Sequence, residues 1–183
     1  MALEILRCLR ESSQIQELFW AWAEFGVAEE SAPDFALQSG EPLQVIGKDA
    51  CGGRFCVYSR DHSEYLLYAD SEGRAGTIAP SLVQGIQIMI ALPYWRDCLK
   101  FSCGGDIGEM RKAESMLEAD LHRDPKSKQT RLRLYHAFGL EPLATSLDVL
   151  HKSVTEGAQT KVVATSDGSV FDGLFNTFSS LDL

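Results

Sequence analysis

Basic residues are scarce in this sequence. Its 183 residues contain 17 Lys and Arg against 26 Asp and Glu, which gives a formal net charge of −9. Such a chain repels the phosphates of nucleic acids and of anionic membranes, so the composition argues against both as partners. Within residues 11–47 the imbalance is complete, because seven carboxylates occur there without one Lys or Arg. This acidity indicates either simple solubility or a basic protein partner.

The sequence also lacks long hydrophobic runs and a secretory signal peptide. Its longest apolar stretch, around residues 86–92, is too short to span a bilayer, so no transmembrane helix is predicted. A chain without a signal peptide is expected to be cytoplasmic, where thiols stay reduced.

Closely paired cysteines are absent as well. The five cysteines form no C-x-x-C motif, although four residues separate Cys51 from Cys56 and Cys98 from Cys103. Structural zinc sites tolerate such spacing, and His62 would add a nitrogen ligand, but no His or Cys pair stands at zinc-finger distance. The apolar surroundings of both pairs favour buried free thiols, so we expect neither a metal nor another cofactor.

Catalytic signatures are missing too. The chain has no G-x-S-x-G or H-E-x-x-H motif, and its glycine-rich run at residues 104–108 lacks the lysine of a phosphate-binding loop. The carboxylates Asp70 and Glu72 flank one turn and, with Asp49, would be the acid and base of a small hydrolase. A solvated turn does not raise the pKa of a carboxyl group as acid–base catalysis requires. We therefore expect that the protein is not an enzyme.

What the sequence does contain is a change of hydrophobic period. Helical spacing that begins with a capping pair, Ser13 and Gln16, and ends at Gly26 predicts an N-terminal helix. Residues 27–41 are predicted to form a loop. Short alternating segments separated by glycine-containing turns then predict an antiparallel β-meander. These segments lie near residues 43–47, 55–57, 65–68 and 75–79.

The rest of the chain is predicted to be mainly helical. Ser81 caps a helix that is apolar on most sides and therefore buried, and Asp106 caps the next one. The predicted fold is α+β: an antiparallel β-meander sheet packed against helices, with a mainly helical C-terminal extension that ends in a β-hairpin. We expect a single domain over residues 1–183, with its core at residues 12–103 and the extension at residues 104–183.

The meander and the helix after it resemble a known family. The strand–turn–strand over residues 43–55, the hairpin over residues 67–79 and the helix from Ser81 are similar to the same elements of the SUKH superfamily. These proteins are bacterial relatives of a fungal cell-wall-assembly regulator and have an α+β fold. The positions that carry the resemblance are Gly47, Gly52, Gly53, Phe55, Gly73 and Gly76.

The resemblance implies an immunity protein, because most members are thought to bind and neutralise secreted polymorphic toxins, very often nucleases. We accordingly expect a non-enzymatic cytoplasmic protein that binds a basic cognate toxin domain and blocks its active site. Carboxylates would speed that encounter by long-range attraction. The alternative is a cytoplasmic scaffold or regulatory protein that binds an endogenous partner. The expected partner-binding residues are Trp20, Glu24, Glu29, Glu30, Asp34, Glu41, Glu64, Asp70, Glu72 and Tyr94.

Overall fold

The computed structural model describes residues 2–28 and 33–183, and it has the predicted α+β fold. The helices of this part of the chain are α1 (Ala2–Glu11), α2 (Ser13–Ala23), α3 (Leu82–Ala91), α4 (Trp95–Lys100), α5 (Ile107–Leu121), α6 (Ser127–Phe138) and α7 (Ser146–Gly157). Its strands are β1 (Gly26–Val27), β2 (Phe35–Leu37), β3 (Gln44–Lys48), β4 (Arg54–Arg60), β5 (Ser63–Ala69), β6 (Ala75–Ala79) and β7 (Val162–Ala164). No helix among the described residues has the length and apolar composition needed to cross a membrane.

The main sheet is antiparallel, with strand order β1-β3-β4-β5-β6. Strands β3 to β6 are joined hairpin to hairpin, which confirms the predicted meander. The prediction that residues 27–41 form a loop is wrong at two points. Val27 pairs with Gly47 at the edge of this sheet, and β2 pairs with β7 to form a second, two-stranded sheet. Both pairings join segments that are distant in sequence, so no local hydrophobic pattern predicts them.

Side-chain caps fix the start of the helices that border the meander. Ser81 accepts a hydrogen bond from the first turn of α3 at 3.2 Å, and Asp106 accepts two from the first turn of α5, as predicted. The cap of α2 is one residue earlier than predicted. Ser12, and not Ser13, accepts the hydrogen bond from the Ile15 N–H.

The predicted C-terminal hairpin is a tight reversal that follows β7. The Ala164 N–H donates to the Ser169 carbonyl, and the Phe171 N–H donates to the Val162 carbonyl, each at 2.9 Å. Because β7 also pairs with β2, the first arm of the hairpin belongs to the two-stranded sheet.

Two hydrophobic clusters lie on opposite faces of the main sheet, because successive side chains of a strand point to opposite sides. Phe55 of β4 belongs to the larger cluster, together with residues of the helices, whereas its neighbour Cys56 packs with residues of β2 and β7. The larger cluster includes Leu134 of α6 and Leu150 of α7. The helices of residues 104–183 therefore pack on the same core as the meander.

Candidate functional site

Several parts of the chain meet around a cleft of about 470 Å³, which we call the turn cleft. Its walls are the β3–β4 turn (residues 49–53), the β5–β6 turn (residues 70–74), α4 and the segment of residues 174–178, and the end of α2 reaches its rim. Five acidic and three basic side chains line it, so its formal charge is −2. They are Glu24, Asp49, Asp70, Glu72 and Asp97, and Arg74, Arg96 and Lys100.

Asp49 is the buried centre of the β3–β4 turn, with only 5% of its surface exposed. Its Oδ1 accepts hydrogen bonds from the backbone N–H groups of Cys51 and Gly53 at 2.9 and 2.8 Å. Its Oδ2 accepts one from the Tyr68 hydroxyl at 2.6 Å and lies 3.3 Å from a guanidinium nitrogen of Arg96. Both oxygens are engaged, so this carboxylate ties the turn to β5 and α4.

Arg96 of α4 lies between the buried turn and the surface. Its guanidinium carbon stands 4.6 Å from the ring centre of Trp95 and 5.1 Å from that of Tyr68, within cation–π distance of both. A second nitrogen lies 3.8 Å from the exposed carboxylate of Glu24. Burial raises the pKa of the Tyr68 hydroxyl well above its usual range, so this group stays protonated and donates to the turn carboxylate. The Trp95 indole N–H is buried and has no acceptor among the described residues.

Asp70 organises the β5–β6 turn in the same way. Its Oδ1 accepts hydrogen bonds from the backbone N–H groups of Glu72 and Arg74 at 2.9 and 2.8 Å. The Arg74 guanidinium then contacts both acids, with nitrogen–oxygen distances of 2.8 Å to Asp70 and 2.6 Å to Glu72. Asp49 and Asp70 are therefore engaged within their turns, whereas Glu72 contacts Arg74 through one oxygen and keeps 73% of its side chain exposed.

The glycines that carry the family resemblance shape the cleft. Gly52 and Gly73 have φ values of +95° and +85°, which glycine adopts without strain. At Gly53 a Cβ would stand 2.6 Å from an Asp49 oxygen, and at Gly47 it would stand 2.6 Å from the Phe25 ring. The absence of a side chain therefore lets the Asp49 carboxylate approach the backbone at Gly53 and lets the Phe25 ring approach it at Gly47. Two further motif residues border the core: Phe55 is fully buried and Gly76 lies against the Leu174 side chain.

The structure brings only some of the predicted partner-binding residues together. Glu24, Asp70 and Glu72 line the turn cleft. Trp20 is 37% exposed and its ring packs over the backbone at Gly26, beside the strand that begins there. The predicted residues that fall outside the described part of the chain are Glu29 and Glu30.

The other predicted acids lie away from the turn cleft. Asp34 precedes β2 and Glu64 is exposed on β5, and neither lines the cleft. Glu41 accepts a hydrogen bond from Arg60 at 2.6 Å, and this contact lowers the pKa of Glu41 to about 2. Only 23% of its side chain is exposed, and an arginine of the same chain matches its charge, so it is poorly placed to attract a partner.

Tyr94 belongs to a second groove, which lies between the end of α3, α5, α6 and residues 143–148. Its hydroxyl donates to Glu118, which also accepts two hydrogen bonds from Arg131 at 2.8 Å each. Burial raises the pKa of Glu118, but these hydrogen bonds outweigh burial and hold it below its usual value. Tyr94 is thus part of an internal network and not a free anchor.

Sequence reasoning missed several residues of the turn cleft. Arg96, Asp97 and Lys100 place three charges within one short helix, directly after the buried α3, and that density of charge was the available signal. Phe178 had no such signal, because the terminal segment has no hydrophobic period. Asp49 was recognised as a candidate carboxylate, but its structural role required its partners to be seen.

No metal centre is formed within residues 2–28 and 33–183, since no three His, Cys, Asp or Glu side chains there lie close enough to hold an ion. All five cysteines are free thiols, with Cys51 and Cys103 exposed. Comparisons with protein-family models, with curated proteins and with solved structures gave no match. The interpretation of the turn cleft therefore depends on its own geometry and charge.

Proposed function

We propose that this chain is an immunity protein: a non-enzymatic, cytoplasmic protein that binds a basic toxin domain, with a nuclease as the favoured kind, and blocks its active site. The observation that carries the proposal is that the carboxylates of the turn cleft differ in exposure. Asp49 and Asp70 are engaged inside their turns, whereas Glu24 and Glu72 keep 59% and 73% of their side chains exposed at the rim, with Arg96 and Arg74 at 3.8 and 2.6 Å from them. Such a surface attracts and holds positive charge without offering a reactive group.

The charge of the cleft suits this kind of partner. A nuclease holds phosphates in a positively charged active site, and a rim of carboxylates presents the same sign of charge as its substrate. The similarity of residues 43–103 to the SUKH superfamily supports the same function, because the turns that carry the resemblance build the cleft.

The test is growth in competition with the parent strain. We expect cells that lack this gene to be outcompeted in dense mixed culture, where they meet the toxin, and to grow normally in dilute culture alone. An equal defect in both cultures would indicate a scaffold or regulator of an endogenous partner. Equal competition in mixed culture would refute the immunity proposal.

A matched pair of variants connects that phenotype to the turn cleft. Reversing three acids of its lining with Glu24→Lys, Glu72→Lys and Asp97→Lys should abolish protection. The control reverses three acids elsewhere, Glu17→Lys, Asp34→Lys and Glu64→Lys, which changes the net charge equally and should leave protection intact. Equal loss with both variants would assign the effect to overall charge rather than to the cleft.

A further inference from the structure

One wall of the turn cleft comes from the last residues of the chain. Leu174, Asn176 and Phe178 line the cleft, and Asp172, just before them, is hydrogen-bonded to the β5–β6 turn through the Gly73 carbonyl at 2.8 Å. Backbone hydrogen bonds hold this segment in place. The Asn176 N–H donates to the Leu99 carbonyl at 3.2 Å, and the Cys103 N–H donates to the Phe178 carbonyl at 2.7 Å.

Further contacts fix both ends of the segment. At one end the Leu174 side chain lies against Gly76 of β6, where a Cβ would stand 3.1 Å from it. At the other end the Ser180 N–H and hydroxyl donate to the Glu109 carboxylate of α5 at 3.0 and 2.7 Å. The wall is therefore pre-organised, and little conformational entropy would be lost if a ligand bound to it.

The wall is apolar where the turns are acidic. Phe178 exposes 46% of its surface, its ring centre lies 6.4 Å from that of Phe101, and the Lys100 nitrogen stands 5.9 Å from it. A large, partly exposed aromatic ring on a fixed backbone is typical of the anchor residues of protein interfaces. The cleft thus combines an apolar anchor with two exposed carboxylates, Glu24 and Glu72.

We propose that the turn cleft binds an extended basic segment of the partner protein, with an apolar side chain against Phe178 and flanking Lys or Arg side chains at Glu24 and Glu72. This inference takes the basic partner from the proposed function and adds how it is recognised. The volume of about 470 Å³ is within the range of sites that enclose a few side chains. An acidic ligand at Lys100 or Arg96 would also meet the exposed carboxylates of Glu24 and Glu72, and the lining has a formal charge of −2, so the cleft favours a cation.

The test uses two synthetic peptides and nuclear magnetic resonance. One peptide is acetyl-Arg-Leu-Arg-Leu-Arg-amide, and the other replaces both leucines with serine and keeps the charge. The protein has three tryptophans, so its indole N–H signals are readily resolved. Trp95 lines the cleft and reports binding, whereas the Trp22 indole N–H is bonded to the Ile90 carbonyl at 3.0 Å and is the internal reference.

We expect the leucine peptide to shift the Trp95 and Phe178 signals and to bind several-fold more tightly than the serine peptide. Phe178→Ala should weaken the binding of the leucine peptide by about tenfold. Leu181→Ala, which removes a 94% exposed side chain of the same terminal segment, should leave binding unchanged. An unshifted Trp22 signal in both variants shows that the fold is retained.

Equal affinity of the two peptides, no binding, or shifts away from the cleft would each overturn the inference. The outcome is separable from that of the proposed function. If the peptides bind as expected while the gene gives no advantage in mixed culture, recognition of a basic segment stands and immunity does not. If the advantage is found and the peptides do not bind, immunity stands and this mode of recognition does not.

Discussion

Removing the carboxylate of Asp49 is the sharpest perturbation of the turn cleft. Asp49→Ala would deprive two backbone N–H groups and the Tyr68 hydroxyl of their acceptor and leave Arg96 without its buried counter-charge. Each hydrogen bond to a charged group contributes about 1.5–3 kcal/mol, but the losses are not additive because freed groups relax or reach water. The comparable case of breaking a buried ion pair costs about 3–5 kcal/mol, and we expect a loss in that range.

Asp49→Asn separates the hydrogen bonds from the charge. The amide oxygen still accepts from the N–H groups of Cys51 and Gly53, while the amide nitrogen faces Tyr68 and Arg96 as a second donor. The expected cost is therefore about 1–2 kcal/mol, well below that of the alanine variant. The exposed acid Glu64 is the control, since Glu64→Ala should change stability by less than about 0.5 kcal/mol.

Urea denaturation followed by fluorescence measures all three variants. With a slope near 2 kcal/mol per molar of urea, Asp49→Ala should lower the midpoint by about 2 M. The reasoning is refuted if Asp49→Ala costs less than about 1 kcal/mol, or if the asparagine and alanine variants lose the same stability. Either result would mean that the carboxylate does not hold the turn together.

Two further predictions concern the turns and the second groove. Gly53→Ala should destabilise the protein by about 2–3 kcal/mol, since its methyl group would stand 2.6 Å from a carboxylate oxygen. At Gly73 an added Cβ would have no atom within 4 Å, so Gly73→Ala should cost only the strain of its positive φ, about 1 kcal/mol. A lower urea midpoint for Gly73→Ala than for Gly53→Ala would contradict this reasoning. Burial raises the pKa of Glu114, so the folded state retains a proton that the unfolded state releases, and stability falls as pH rises through that interval. Glu114→Gln should therefore be more stable than the parent near pH 7 and equal to it below about pH 4, and equal midpoints near pH 7 would disprove the effect.

Local features of the fold were predictable from the sequence. The caps at Ser81 and Asp106 and the turns at Gly52 and Gly73 join residues that are two to four positions apart, as the hydrogen bonds at these sites show. The alternating period of the strands is equally local. The cap of α2 was placed one residue too late because two adjacent serines offer the same side chain at neighbouring positions.

Pairings between distant segments were not predictable in this way. Strand β2 has three residues, too few for a recognisable alternation, and it forms because β7 supplies its hydrogen bonds across more than a hundred positions. The C-terminal wall of the turn cleft is a similar case. Its segment is held by α4 and by the loop after it, and nothing in its own sequence indicates that it lines a cleft.

The structure separates the expected partner-binding acids into those held within the chain and those that stay mostly exposed. Composition identifies acidic side chains but not the cations that neutralise them. Glu41 is held by Arg60, nineteen positions away, and Asp70 by Arg74 within its own turn. Glu24 and Glu72 also lie near arginines, Arg96 and Arg74, but they keep 59% and 73% of their side chains exposed.

By itself, the sequence determined the α+β class, the meander, most of the caps and the acidic character of the protein, because these depend on composition or on neighbours along the chain. Only the tertiary structure decided which carboxylates build the protein and which face outward. Asp49 contacts Tyr68 and Arg96 from 19 and 47 positions away, and that meeting turns a candidate catalytic acid into the centre of a turn. The role of a charged side chain is set by its partners in space, and those partners are chosen by the packing of distant elements.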